Sequence, residues 1–213
     1  MFVIANFFER ISTKKPFEAE IKAFAKSDSI VAPLQGKIVF AGSSSFTKWK
    51  DINQYFPGYP IINRGFGGSN LLDVILYVNE TILKYKPKQV VIYCGENDLA
   101  SSDTVSPEIV LDRFSLLFNL IRKDLGNKTN ITFISIKPSI SRWHLQSKII
   151  QANTLIAQFI AKQTNAHYIN IHNAMLLDDG SVMKDIFIAD NLHMNAKGYA
   201  IWQKIIFPGL LIK

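Results

Sequence analysis

Three side chains in this sequence are of the types, and in the contexts, that acyl transfer needs. Ser44 follows an apolar run in IVFAGSSSFTKW, and Asp190 and His193 stand three residues apart in IADNLHMNAKGYAIW. A serine hydroxyl is a poor nucleophile near neutral pH until a base takes its proton; a histidine can take that proton and later return it to a leaving alcohol. An aspartate three residues before the histidine can reach its ring, fix the tautomer and stabilise the imidazolium that forms during attack. Taken singly, Ser44 reads as the cap of a following helix, and Asp190 with His193 as a cap for the segment that begins near Asn195. The other histidines, His144, His167 and His172, have no comparable context.

Ester cleavage also needs hydrogen-bond donors for the oxyanion, and two loops offer candidates. Gly68 lies in the glycine-rich INRGFGGSN, where a backbone can approach a substrate closely, and Asn97 lies in YCGENDLA after an apolar run. A tight turn and an Asx-type turn are the plainer readings of the same two stretches. The glycine spacing fits neither the dinucleotide fingerprint nor the Walker motif. Other hydrolase patterns are excluded. Gly42-Ser43-Ser44-Ser45-Phe46 lacks the final glycine of the Gly-x-Ser-x-Gly elbow, no His-Glu-x-x-His is present, and Glu96 and Asp98 lack a spaced acidic partner for two-carboxylate glycosidase chemistry.

The elements that must position these residues alternate along the chain. Continuous apolar runs at 37–41, 59–63, 89–94, 130–136 and 167–171 predict strands buried on both faces. Helical spacing predicts helices over 71–85, 107–125, 147–164 and 196–206, with Pro107 in a first turn, where proline is tolerated. Strand and helix in alternation imply an α/β fold, a parallel sheet with helices on both sides. Ligands collect at the carboxyl ends of such strands, and the serines, the glycines, the Asn97 turn and Lys137-Pro138-Ser139 all fall there. Ahead of the sheet, residues 1–34 read as a helical arm packed on the domain, with Phe7, Phe8 and Ile11, then Phe17, Ile21, Phe24 and Ala25 after Pro16; residues 35–213 form the domain itself.

A length of 213 residues with 48% hydrophobic and 19% charged content fits one folded domain, with no linker, repeat or low-complexity stretch. The formal net charge of +7 is scattered: Lys14 and Lys15, Lys48 and Lys50, and Lys84, Lys86 and Lys88 form no basic helix face, and nucleic-acid binding is not expected. No apolar run approaches the ~18 residues that span a bilayer. The opening MFVIANFFERISTKK is broken by Asn6, Glu9 and Arg10, so no secretory signal is expected and the placement is cytoplasmic, or exported if a signal peptide is missing from this chain. The lone Cys94 allows no internal disulfide and no cysteine metal cluster.

Four blocks in order, VFAGSSSFTKW, INRGFGGSN, YCGENDLA and DNLHMNAKGY, resemble the SGNH, or GDSL-type, hydrolase family over nearly the whole chain after the arm. The resemblance implies a three-layer α/β/α sandwich on a flavodoxin-like five-stranded parallel sheet, and no metal or organic cofactor. It implies Ser44 as nucleophile, His193 as base and Asp190 as its orienting acid, with an oxyanion hole from the Ser44 and Gly68 N–H groups and the Asn97 amide. Ser43 stands where the GDSL motif has aspartate, a change expected to alter the support of the loop rather than to abolish activity; Ser43 and Ser45 are then loop or helix-start hydroxyls. Lys137 and Arg142 in IKPSISRW either shape the pocket or anchor a loop, and Arg64 has the same two readings. The expected substrate is a small-molecule carboxylic ester with a short acyl group, acetyl first, on a bulkier alcohol such as a sugar, a lipid headgroup or a peptidoglycan unit. The alternatives are a catalytically weak module that binds a carbohydrate or a partner on the same fold, and a flavodoxin-like nucleotide binder.

Overall fold

In the computed structural model, residues 15–33 and 35–211 are described. Five strands, β1 (Ile38–Gly42), β2 (Ile61–Gly65), β3 (Gln89–Tyr93), β4 (Asn130–Ile134) and β5 (Ala166–Ile169), form one parallel sheet in the order β2-β1-β3-β4-β5. Ile38 of β1 stands opposite Ile61 of β2 on one side and Gln89 of β3 on the other. This is the flavodoxin-like order, in which the switch point lies between the first and third strands.

The apolar runs form strands here because both of their faces find a core. Val39, Ala41, Val90, Ile92, Ile131 and Phe133 point into one hydrophobic cluster, while their neighbours Ile38, Phe40, Val91, Tyr93 and Ile134 point into a second. That is the period-two alternation of a pleated strand, masked in the sequence because neither face meets water. Strand ends differ from expectation: β2 starts at Ile61 and runs to Gly65, and β4 stops at Ile134, short of residue 136.

The helices are α1 (Glu18–Ile30), α2 (Ser44–Thr47), α3 (Ile52–Tyr55), α4 (Leu71–Leu76), α5 (Val78–Thr81), α6 (Glu96–Ser101), α7 (Pro107–Leu125), α8 (Gln146–Ile160) and α9 (Ala196–Ile206). The first cluster is closed by α4, α7 and α8, the second by α2, α3 and α9, giving the three-layer sandwich. Helix α7 shows why its bounds were readable. Ser106 caps it, Pro107 opens it, Gly126 with φ 71° ends it, and Val110, Phe114, Leu117, Phe118 and Ile121 recur on its buried face. The helix expected over 71–85 is instead broken into α4, α5 and a single 3-10 turn at Leu83–Tyr85. The break falls at Tyr77, whose hydroxyl donates to the Pro16 carbonyl at 2.6 Å.

That contact belongs to the arm. Phe17, in the left-handed region at φ 59°, packs edge-on against Phe66 at 5.3 Å, and Ile21 enters the first cluster. Asp28 at the other end of α1 pairs with Arg64, with Lys84 at 2.6 Å and with the Tyr85 hydroxyl at 2.6 Å. The expected arm residues Phe7, Phe8 and Ile11, and Leu34 at the expected boundary, lie outside the described residues. Among the described residues no helix is long and apolar enough to cross a membrane.

Candidate active site

Strand β1 ends at Gly42, where the chain must turn against its neighbour: a Cβ on this residue would lie 1.9 Å from the Tyr93 carbonyl oxygen, and φ is 140°. Only glycine fits such an approach. The turn carries the chain into α2, with Ser43 at its N-cap and Ser44 as its first residue. Ser43 and Ser45 are buried; Ser44 is half-buried and presents its hydroxyl to His193. Ser44 therefore does not cap the helix, and Ser43, in the cap position, makes no side-chain cap bond.

His193 comes from the far end of the chain. Helix α9 lies over β1, with Tyr199 stacked on Trp49 at 4.7 Å and the Tyr199 hydroxyl donating to the Ser45 carbonyl at 2.9 Å. The loop before α9 is thereby set beside α2. Asp190 Oδ1 accepts the backbone N–H groups of Leu192 at 2.9 Å and His193 at 2.8 Å, while Oδ2 lies 2.6 Å from His193 Nδ1. Asn195, not Asp190, caps α9, accepting from Lys197 and Gly198. The opposite ring nitrogen, Nε2, lies 2.9 Å from Ser44 Oγ. With the carboxylate at Nδ1, the proton of the neutral ring belongs on that nitrogen, leaving Nε2 to accept from the serine. Burial pushes the Asp190 carboxyl up, but its hydrogen bonds with the His193 backbone and ring and the Leu192 N–H outweigh that and bring it to about 2.

Gly68 and Asn97 follow β2 and β3, the two strands that flank β1, so the loops that bear them stand on either side of Ser44. Ser69 joins the three loops. Its hydroxyl is 3.1 Å from the Gly42 carbonyl, and its own carbonyl accepts from Asn97 Nδ2 at 3.0 Å. Gly68 is exposed and holds φ 75°. Among the described residues the backbone N–H groups of Ser44 and Gly68 have no partner, and one N–H of the Asn97 amide is uncommitted. Asn97 is thus not in an Asx turn; it sits in the first turn of α6, and Arg142 Nη1 donates to its Oδ1 at 2.9 Å.

The neighbouring carboxylates are committed elsewhere. Asp98, fully buried, binds Arg113 at 2.8 Å and the Leu71 N–H at 2.9 Å. Burial raises its carboxyl above the ordinary range against the pull of Arg113. Glu96, also buried, receives Lys137 at 3.0 and 2.9 Å on its two oxygens and the Tyr93 hydroxyl at 2.8 Å. Arg64 is committed to Asp28 and the Tyr85 hydroxyl, and through Asp28 it fastens the arm. His172 is buried between Gln146 and Asn173; His144 and His167 are exposed. Among the described residues no group of three or more His, Cys, Asp or Glu could hold a metal ion. Sequence reasoning passed over Tyr93 and Ser69, weighed Glu96 only as half of an acid pair, and left Lys137 open; the one signal was a lysine just after an apolar run.

The sequence profile of the GDSL-like Lipase/Acylhydrolase family matches residues 28–201. No curated protein matches the chain by sequence. Among solved structures, a protein from Streptococcus pneumonia provisionally named a platelet activating factor superposes with a TM-score of 0.79 at 17% identity, over 99% of this chain and 100% of that one. A GDSL-like lipase from Bacteroides thetaiotaomicron gives 0.72 at 20% identity, over 90% and 97% of the two chains. A catalytic mutant of an acetylxylan esterase from Geobacillus stearothermophilus gives 0.64 at 15% identity, over 83% and 95%. At these identities the superpositions show a shared fold. The family match over most of the sequence goes further, and the chain belongs to the GDSL-like lipase/acylhydrolase family.

Proposed function

We propose that the protein is a serine esterase that cleaves carboxylic esters of short acyl groups, acetyl above all, through an acyl-enzyme on Ser44. The observation that carries this reading is the unbroken chain from Asp190 Oδ2 to His193 Nδ1 at 2.6 Å and from His193 Nε2 to Ser44 Oγ at 2.9 Å. As Ser44 Oγ attacks the ester carbonyl, its proton passes to Nε2, and Asp190 holds the imidazolium that results. The oxyanion is met by the Ser44 and Gly68 N–H groups and the free N–H of Asn97. Collapse of the tetrahedral adduct expels the alcohol, protonated by His193, and a water activated by the same histidine releases the acid.

The acetylxylan esterase among the structural neighbours supports acetyl as the acyl group. The half-buried Ser44 and the exposed Trp143, one residue beyond Arg142, suit a small acyl group on a bulkier alcohol that stays partly outside. Treatment with a fluorophosphonate and subsequent peptide mapping tests the nucleophile without the natural substrate. One adduct, on Ser44 and lost in His193→Ala, is expected. An adduct on Ser43 or Ser45 would overturn the assignment of the nucleophile, and a folded protein that takes no adduct at mildly alkaline pH would be a binding module instead.

A further inference from the structure

Asn97 can help an oxyanion only with its N–H side turned toward it; the carbonyl side in that place would repel the developing charge. An amide is nearly symmetric in shape, so its orientation is set by the partners of its two ends. Here they are unambiguous. The Ser69 carbonyl can only accept, and it takes Nδ2 at 3.0 Å; the Arg142 guanidinium can only donate, and it gives to Oδ1 at 2.9 Å.

Arg142 would not ordinarily be free for this task, because a buried carboxylate stands beside it. Glu96 Oε1 lies 3.7 Å from the same Nη1, and arginine with carboxylate favours a two-pronged pair. Lys137 prevents that pair. It is fully buried, binds both Glu96 oxygens, and together with the Tyr93 hydroxyl and Ser139 Oγ at 3.3 Å it fills the acceptor positions of the carboxylate. One anion is thus surrounded by two cations, and Arg142 is the surplus charge, placed against the carbonyl end of Asn97. A cation there also polarises the amide and strengthens its N–H as a donor. The same loop reaches the other side of the site, where the Ser141 N–H donates to the Asn191 carbonyl at 3.1 Å, next to Asp190.

We propose that Arg142 is a positioning residue for ester hydrolysis, which locks and polarises the Asn97 amide, and that Lys137 keeps it available by neutralising Glu96. The proposal rests on the esterase reading above. It is a statement about how one donor of the oxyanion hole is aimed, and it gives Arg142 no contact with the substrate.

The test is a double-mutant cycle of Arg142→Ala with Asn97→Ala, assayed on p-nitrophenyl acetate with kcat and KM separated and with thermal melting as the control for folding. Removing an oxyanion donor costs roughly 10²–10³ in kcat, so Asn97→Ala should fall in that range. Arg142→Ala should lower kcat about 10- to 100-fold with KM changed less than about threefold, and the double variant should sit within about threefold of Asn97→Ala alone. Arg142→Lys, which keeps the charge and one donor, should recover part of kcat; it takes the place of the alanine variant in the cycle if that variant fails to fold. Multiplicative losses in the double variant, an unchanged kcat in the single one, or a loss confined to KM would each overturn the proposal while leaving the esterase intact. A wild-type protein with neither esterase activity nor a fluorophosphonate adduct would instead overturn the esterase reading, and this inference with it.

Discussion

Replacing Lys137 by methionine keeps an unbranched side chain, one atom shorter, and removes its charge, which strands the Glu96 carboxylate in the interior. In the native protein, burial pushes the Glu96 carboxyl up, but the charges of Lys137 and Arg142, with hydrogen bonds from Lys137 and Tyr93, more than reverse this and hold it below the usual range. Burial pulls the Lys137 ammonium down in turn, against the attraction of Glu96. Methionine leaves Glu96 with two hydroxyl donors and a single cation, Arg142 Nη1 at 3.7 Å. Breaking a buried pair in this way costs ~3–5 kcal/mol, and the remaining donors argue for the lower end, about 3 kcal/mol. With a urea slope of about 2.5 kcal/mol/M, the unfolding midpoint should fall by about 1.2 M at neutral pH.

The pH dependence of that loss has a definite sign. A carboxyl whose pKa is lowered by folding stabilises above its unfolded pKa of about 4.3, and the contribution disappears as pH falls through the folded value. In Lys137→Met burial prevails, Glu96 titrates above its unfolded value, and stability is regained as pH falls and the carboxyl becomes neutral. The deficit relative to wild type should therefore be largest at pH 7–8 and shrink toward about pH 5. Adding Glu96→Gln removes the stranded charge and should restore stability to within about 1 kcal/mol of wild type. Urea titrations of the wild type, the single and the double variants across this pH range decide the matter. A single variant within about 0.5 kcal/mol of wild type, or a deficit that grows toward acid pH, would refute the view that Glu96 is a buried, ionised group held by Lys137.

The same geometry supports further expectations. Asp190→Asn should lower kcat by roughly 10³- to 10⁴-fold, by favouring the wrong tautomer of His193, with only a modest fall in melting temperature, because the residue is exposed and an amide oxygen can still accept from the Leu192 and His193 N–H groups; steady-state kinetics with a melting curve checks both. Tyr199→Phe deletes the hydroxyl that donates to the Ser45 carbonyl at 2.9 Å and should cost about 1–2 kcal/mol, seen by denaturation. Asp28→Asn should loosen α1 from Arg64, Lys84 and Tyr85, and limited proteolysis should then cut near the arm first. Although burial pushes the Asp28 carboxyl up, its bonds to Lys84 and Tyr85 and the Arg64 charge bring it below the usual range. The stability it lends is thus present above the ordinary carboxylate pKa and is lost as pH falls through the lowered value.

The sequence carried those features whose cause is local. Strands β1 and β3 could be found because every one of their residues is buried, and α7 because proline, a serine cap and a terminal glycine mark its ends. The serine, glycine and asparagine blocks could be placed at strand ends by counting, and the histidine block just ahead of the last helix. The break at Tyr77 could not, since no glycine or proline stands there; the tyrosine hydroxyl is held by the Pro16 carbonyl, 61 positions earlier. Nor could the partner of Glu96: Lys137 lies 41 positions away, and nothing in the spacing distinguishes a buried lysine in the loop after a strand from one in water. Arg64 was ambiguous for the same reason until Asp28, 36 positions earlier, was seen to face it.

Ser44 and His193 are 149 positions apart, yet in the fold their side chains are hydrogen-bonded partners. The length-dependent part of the entropy of closing a free chain of that length is about 4.4 kcal/mol, offset by packing such as that of Tyr199 and Trp202 on Trp49 and Phe46. On the esterase reading, the hydroxyl has its base only when α9 is docked, so activity on refolding should not return before the Tyr199–Trp49 contact does.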